Sequence, residues 1–244
     1  ATEETTDGGF YEIFSPLETT EETVENRHTG RVLTQPGEIS RHIAKRQALP
    51  VIIWEGFEVL SNGIIVGGSE LRPGTTGRDH DGGALYKFIP SRLYKKDEKV
   101  IQLGDSPLLS GSVHVLQVWC YESGHIANPQ YGQGCEVGNA GWIQIEAKDA
   151  QLQAQAKGAT GFYRPEDLHL DPHFKGAGVR YCWTNTGNKQ AHHYAEVMCA
   201  HDAQPEVASS KKATVVLNRF VEGDTEFNAF DNLDFQPSTG NLYI

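Results

Sequence analysis

Short apolar runs, separated by Gly, Asn and Pro, recur along the chain from residue 51 onward. Runs of four to eight residues bounded by turn residues are typical of β-strands, and many of them in succession indicate a sandwich, a barrel or a propeller. We therefore predict an all-β fold. The predicted strands are 51–54, 57–60, 64–66, 84–89, 113–121, 142–145, 168–170, 179–184, 195–199, 214–220, 233–235 and 242–244.

Two parts of the chain depart from this strand pattern. The segment 146–157, EAKDAQLQAQAK, is rich in Ala and Gln and is followed by Gly158, which predicts one short helix with a left-handed glycine cap. Residues 1–50 are irregular, with an acidic, Thr-rich start. We predict that they form a separate N-terminal segment ahead of the β-rich part, residues 51–244.

A repeated order of residues favours the propeller among the all-β folds. The segments 54–70, 165–188 and 230–244 each contain an acid, an apolar strand, a Gly-containing turn and a second strand. Glu55, Glu166 and Asp231 occupy the acidic position in all three. The innermost strand of a propeller blade starts at the central channel, so an acid just ahead of it would face the channel mouth. The sequence therefore predicts an incomplete β-propeller.

Carboxylates that meet at such a channel would repel one another and raise their own pKa values. Ca²⁺ takes about six to eight oxygen ligands and would neutralise them. The alternative is that each acid caps its own turn through the local backbone. The sequence leaves both interpretations open.

The composition indicates which classes of binding partner and which cellular compartment to expect. The chain has 21 basic and 32 acidic residues, a net charge of -11, which argues against nucleic-acid binding. Its apolar runs are too short to predict a membrane span. The cysteine spacing predicts the disulfides Cys120–Cys135 and Cys182–Cys199, with free thiols as the alternative. Disulfides, and a start at Ala1 without Met, lead us to expect a periplasmic or extracellular protein whose signal peptide has been removed.

Other motifs in the sequence give weaker indications of a functional site. The loop GRDHDGG (77–83) lacks the spacing of a calcium loop and predicts a hairpin turn. His192 and His193 are consecutive, so on a strand they would point to opposite faces. No nucleophile elbow, P-loop or dinucleotide fingerprint is present in the sequence.

Three segments resemble the PhoX-type alkaline phosphatases, a family of secreted bacterial β-propellers. ATGFYRPEDLHLDP…YCWTNTGN resembles that family's "RPE…TNN" segment, FDNLDFQPSTGNLYI is similar to a later blade start, and GGSELRPG…GGALYKF resembles its "CEE" segment. The resemblance covers about residues 51–244 and is strongest to the uncharacterised members. It implies a metal-dependent phosphomonoesterase whose calcium and iron ions are held mainly by acidic residues.

Carried over by position, the resemblance implies metal-binding roles for Glu70, Glu166 and Asp231, and the internal repeat adds Glu55 to this set. Asn185 would lie close to the site and orient the ligand, and Arg164 would contact the phosphate of a phosphate-ester substrate.

The chain also departs from the family pattern. Residues 46–57, RQALPVIIWEGF, lack the cysteine that bridges the two irons in the active enzymes, so the implied metal is calcium without a di-iron centre. The chain stops within a predicted blade, so we expect C-terminal blades or a second chain to close the ring. A second function stays open, a non-catalytic propeller with structural calcium in an envelope or extracellular assembly.

Overall fold

The computed structural model describes residues 8–13, 43–71, 82–100, 102–119, 136–189 and 192–244. Strands dominate these residues, and the only helix longer than a 3-10 turn within them is α1 (Ala150–Ala156). The all-β prediction is confirmed. The strands are β1 (Tyr11–Ile13), β2 (Ile43–Lys45), β3 (Trp54–Val59), β4 (Ile65–Ser69), β5 (Leu85–Pro90), β6 (Gly111–Val118), β7 (Gly138–Ile145), β8 (Pro165–Leu170), β9 (Val179–Asn185), β10 (Glu196–Asp202), β11 (Val215–Glu222), β12 (Asp234–Phe235) and β13 (Leu242–Tyr243).

The central sheet has nine antiparallel strands in the order β3-β4-β5-β6-β7-β11-β10-β9-β8. It contains two meanders of four consecutive strands, which we call meander 1 (β3–β6) and meander 2 (β8–β11). Strand β7 joins them, because it pairs with β6 over most of its length and with β11 at residues 138–140. The pairs β1–β2 and β12–β13 form separate two-stranded sheets.

The two outer strands of the central sheet, β3 and β8, lie against each other. A Cβ atom placed on Gly56 would be 2.1 Å from the backbone nitrogen of Leu168, so the chains touch backbone to backbone. The sheet is therefore nearly closed. Its strands form one sheet and not separate four-stranded sheets, and the propeller arrangement stays a prediction.

The core is aromatic on both sides of this sheet. Trp54 packs edge to face against Phe10 and Phe57, which brings the N-terminal residue Phe10 onto meander 1. Trp142 and Trp183 are fully buried in a second cluster, between the meanders. Aromatic side chains of this size provide much of the apolar area that folding removes from water.

Several element boundaries differ from the sequence prediction, and two of the differences have a visible cause. Helix α1 begins at Ala150, not at 146, because the backbone N–H of Glu146 donates to the side chain of Gln153 while residues 147–149 form a turn. Its predicted end is confirmed, since Gly158 has a φ of 69°. Strand β3 begins at Trp54, because the N–H of Val51 donates to the carbonyl of Ala147 outside the sheet.

The disulfide Cys182–Cys199 is present and joins residues that lie directly opposite each other on β9 and β10. It agrees with an oxidising environment. Cys120 and Cys135 lie outside the described residues. Within the described ranges, no helix has the length and apolar character needed to cross a membrane.

His114 on β6 is a buried basic group between the meanders. Burial, and then the charge of Lys87, lowers the pKa of His114 from 6.5 to about 4. A lowered pKa means that the unfolded chain binds the proton more readily. His114 therefore contributes stability above pH 6.5 that is lost as the pH falls through about 4.

We expect His114→Gln to remove this part of the acid sensitivity. Between pH 6.5 and pH 4, the free energy of unfolding should fall by up to about 3 kcal/mol more in the wild type than in the variant. Urea titrations of both proteins at these two pH values measure the difference. Equal losses would show that His114 does not become protonated on unfolding.

Candidate functional site

The turn that leads into β8 carries the central side chain of the site. Arg164 has a φ of 57°, a left-handed conformation that few non-glycine residues adopt. Two backbone hydrogen bonds hold this turn, from the N–H of Thr186 to the carbonyl of Arg164 and from the N–H of Gly187 to the carbonyl of Tyr163. The segment that follows β9 therefore fixes the turn that precedes β8. Strained backbone of this kind is concentrated at functional sites.

The guanidinium of Arg164 lies between two buried carboxylates. Its Nε donates to Oε1 of Glu70 at 2.7 Å, and its Nη2 lies 2.5 Å from the same oxygen. The Nη2 is also 2.8 Å from Oε1 of Glu166. Glu70 directly follows β4, the second strand of the sheet, and Glu166 is the second residue of β8, its last strand, so one arginine contacts both meanders.

The same oxygen of Glu166 also accepts from Thr186, whose hydroxyl donates to Oε1 at 3.0 Å. The pKa of Glu166 is nevertheless raised from 4.5 to about 7, first by burial, then by the charge of Glu70, with a smaller contribution from Asp231. Arg164 and the Thr186 hydrogen bond lower the pKa and offset only part of the rise. Among the described residues, the charge of Arg164 thus interacts with those of Glu70, Glu166 and Asp231.

The backbone of Asp231 is bound to meander 2. Its carbonyl accepts from the backbone N–H of Asp167 at 3.3 Å and from the hydroxyl of Thr184 at 2.8 Å. In return, Oδ2 of Asp167 accepts from the backbone N–H of Leu233. The adjacent acids Glu166 and Asp167 therefore have different roles. Glu166 points into the site, while Asp167 binds the segment that leads into the β12–β13 hairpin.

Two other predicted site residues, Glu55 and Asn185, have less direct contact with Arg164 than Glu70 and Glu166 have. Glu55 is half-buried at the start of β3, next to the Gly56 that touches β8. Asn185 is buried, and its side chain accepts from Nε1 of Trp183 and donates to Oε2 of Glu196. The amide of Asn185 thus contacts Glu196 and Trp183, and its role towards a ligand stays a prediction.

The carboxylates surround a guanidinium and do not form a preformed metal cage. Among the described residues, no group of three or more His, Cys, Asp and Glu side chains is arranged to hold a metal ion. The metal-binding roles of Glu55, Glu70, Glu166 and Asp231 stay predictions. Sequence reasoning did not identify Thr186 as a contact of Glu166, although its place in the TNTGN segment is a signal that could have suggested it.

Comparison with solved structures found a similar fold. The structure of Pseudomonas fluorescens PhoX in complex with vanadate, a transition state analogue, matches this chain with a TM-score of 0.53 at 16% sequence identity. The fold is similar to PhoX. The match covers 85% of this chain but 40% of the PhoX chain, so this chain spans less than half the length of that protein. No protein-family model and no curated protein matches the sequence.

Proposed function

We propose that this protein binds phosphate esters at Arg164 and hydrolyses them with bound calcium, as a PhoX-like phosphatase. The observation that carries the proposal is the geometry of the arginine. Its Nε and Nη2 are held by Glu70 and Glu166, while Nη1 has no partner among the described residues. A guanidinium fixed along one edge, in a side chain that is 23% exposed, suits recognition of a phosphoryl oxygen.

The similar fold supports the same chemistry. PhoX was solved with vanadate, a transition state analogue, and the present chain shares its fold at a low sequence identity. In this proposal Arg164 binds the phosphoryl group and neutralises charge that develops on its oxygens. Glu70 and Glu166 hold the guanidinium in one orientation, so no reorganisation is needed during the reaction.

The oxygen atoms of the side chains around Arg164 are of the kinds that bind calcium. The side chains around Arg164 provide carboxylate and hydroxyl oxygens, the ligands that Ca²⁺ prefers, and the charge of Glu70 adds to burial in raising the pKa of Glu166. Glu166, Glu70 and Asp231 would hold the ion, with Glu55 beside them on β3. A bound Ca²⁺ would supply Lewis-acid polarisation of a phosphoryl oxygen.

We further propose that the fold is part of a β-propeller. Meander 1 and meander 2 each have four strands, and β12–β13 has two. Glu55 and Glu166 lie at the start of the first strand of each meander, and Asp231 lies just before β12. This order supports two blades and the start of a third, with further blades supplied by more chain or by a second polypeptide. The disulfide supports a periplasmic or extracellular location.

Turnover of p-nitrophenyl phosphate with added Ca²⁺ tests the proposed activity. We expect Glu166→Gln to reduce kcat/KM by about tenfold or more, because the amide no longer anchors Arg164 as a carboxylate does. The matched control is Glu226→Gln, an exposed acid that is not one of the proposed site residues, which should retain wild-type activity. Iron is included in a parallel assay.

Absence of turnover in the wild type with either metal would refute the phosphatase proposal. Calcium bound to such an inactive protein, measured by elemental analysis, would support the non-catalytic scaffold.

A further inference from the structure

A buried lysine and a buried aspartate lie in contact between the two meanders, away from the Arg164 site. Lys87 is on β5 of meander 1, and Asp202 is the last residue of β10 in meander 2. The Nζ of Lys87 lies 2.5 Å from Oδ2 of Asp202, and both side chains are 0% exposed. The residues are 115 positions apart in the sequence.

The surroundings of this pair are apolar and aromatic. The Nζ of Lys87 lies 4.4 Å from the ring centroid of Trp142, and Trp142 and Tyr181 belong to the same buried cluster between the meanders. The Tyr181 hydroxyl is buried and has no hydrogen-bond partner within the described part of the chain. Water is excluded here, so the charged forms of both groups are poorly solvated.

From this geometry we propose that Lys87 and Asp202 form an intramolecular isopeptide bond, which links the two meanders covalently.

The hydrogen bonds around the pair suit amide formation. The carbonyls of Pro205 and Val207 lie 3.1 and 3.4 Å from Nζ and can accept the two N–H groups of a neutral amine. The nitrogen lone pair is then free to face the carboxyl group. On the other side, the backbone N–H of Gln204 donates to Oδ1 of Asp202, which leaves Oδ2 as the oxygen closest to the amine.

Burial also favours the reactive protonation states. It lowers the pKa of Lys87, and the charge of Asp202 only partly opposes this effect. Burial raises the pKa of Asp202, again against the opposing charge of Lys87. An uncharged amine is a nucleophile, and a protonated carboxyl group can lose water, so both shifts act in the direction that the reaction needs.

The step balances without an oxidant, a reductant or a co-substrate. The Lys87 nitrogen attacks Cγ of Asp202, and the charge that develops on Oδ1 is stabilised by the N–H of Gln204. The C–Oδ2 bond then breaks, and Oδ2 leaves as water with its carboxyl proton and one proton from the nitrogen. The products are one amide and one water molecule. The nitrogen and Oδ2 are in direct hydrogen-bond contact, so the proton can pass from one to the other without a relay.

Mass spectrometry of the intact, disulfide-reduced protein tests this proposal. We expect a mass about 18 Da below that of the sequence, the loss of one water molecule. A tryptic digest should contain a branched peptide that joins the segments of Lys87 and Asp202, with no cleavage after Lys87. A wild-type protein of full sequence mass, cleaved at Lys87, would overturn the proposal and leave an ion pair.

Lys87→Arg is the matched control, because arginine keeps the positive charge but does not form this amide. We expect the variant to have its full sequence mass. The sequence also contains Asp81-Gly82, where an aspartate can lose water by itself. A water loss that persists in Lys87→Arg would place the dehydration elsewhere and refute the bond.

Discussion

Arg164→Ala is expected to abolish turnover and also to destabilise the fold. The variant leaves Glu70 and Glu166 without the guanidinium that contacts both of them, and their side chains are only 3% and 6% exposed. Removing one partner of a buried ion pair typically costs about 3–5 kcal/mol, and the partial exposure of Arg164 places this case at the lower end. Urea unfolding at neutral pH measures the loss.

The second variant in this experiment is the double replacement Arg164→Ala with Glu70→Gln. Because it removes the repulsion between the two carboxylates, it should recover part of the lost stability but none of the activity. Vanadate inhibition of the wild type provides the binding measurement, and it should be lost in both variants. An Arg164→Ala protein that keeps full activity would show that the phosphoryl group binds elsewhere.

Gly56→Ala is expected to separate β3 from β8. The new Cβ atom would lie 2.1 Å from the nitrogen of Leu168 and 2.5 Å from the carbonyl carbon of Asp167, and these backbone atoms cannot move aside as a flexible side chain can. The cost of such overpacking should be about 3 kcal/mol or more. Because Glu166 precedes these residues on β8, we expect phosphate-ester turnover to fall as well.

Gly104→Ala is the control for this prediction. A Cβ atom on Gly104 meets nothing within 4 Å, so the change in the free energy of unfolding should be within about 0.5 kcal/mol. Urea unfolding of both variants beside the wild type makes the comparison. A Gly56→Ala protein as stable as Gly104→Ala would mean that β3 and β8 are not in backbone contact.

The positions of most strands could be predicted from the chain alone, because a strand is a local pattern of apolar residues between turn residues. The helix end at Gly158 and the pairing Cys182–Cys199 were also predictable, because each depends on a local feature of the sequence. The helix start was not, because the side chain of Gln153 binds the backbone of Glu146 and keeps the preceding residues in a turn. Intrinsic helix propensity does not account for this competition between a side chain and the helical hydrogen bonds of the backbone.

The sequence named acids for the candidate site, whose metal-binding role stays a prediction, but it did not predict how they are arranged. Glu70, Glu166 and Asp231 were identified from the repeat and the family resemblance, and the pKa of Glu166 shows that their charges interact. The position of Arg164 between two of them depends on a left-handed turn that is held by hydrogen bonds from residues 186 and 187. Those contacts join segments that are more than 20 residues apart, so the local pattern of apolar residues along the chain does not predict them.

Local chemistry in the sequence determined the all-β character, the acidic surface, one disulfide and the acids from which a site could be built. Only the tertiary structure decided that meander 1 and meander 2 share one nearly closed sheet, and that the guanidinium of Arg164 lies between Glu70 and Glu166. It also placed Lys87 against Asp202. The physical reason is that apolar patterning selects strands over a few residues, whereas buried charges are paired by whichever strands packing brings together.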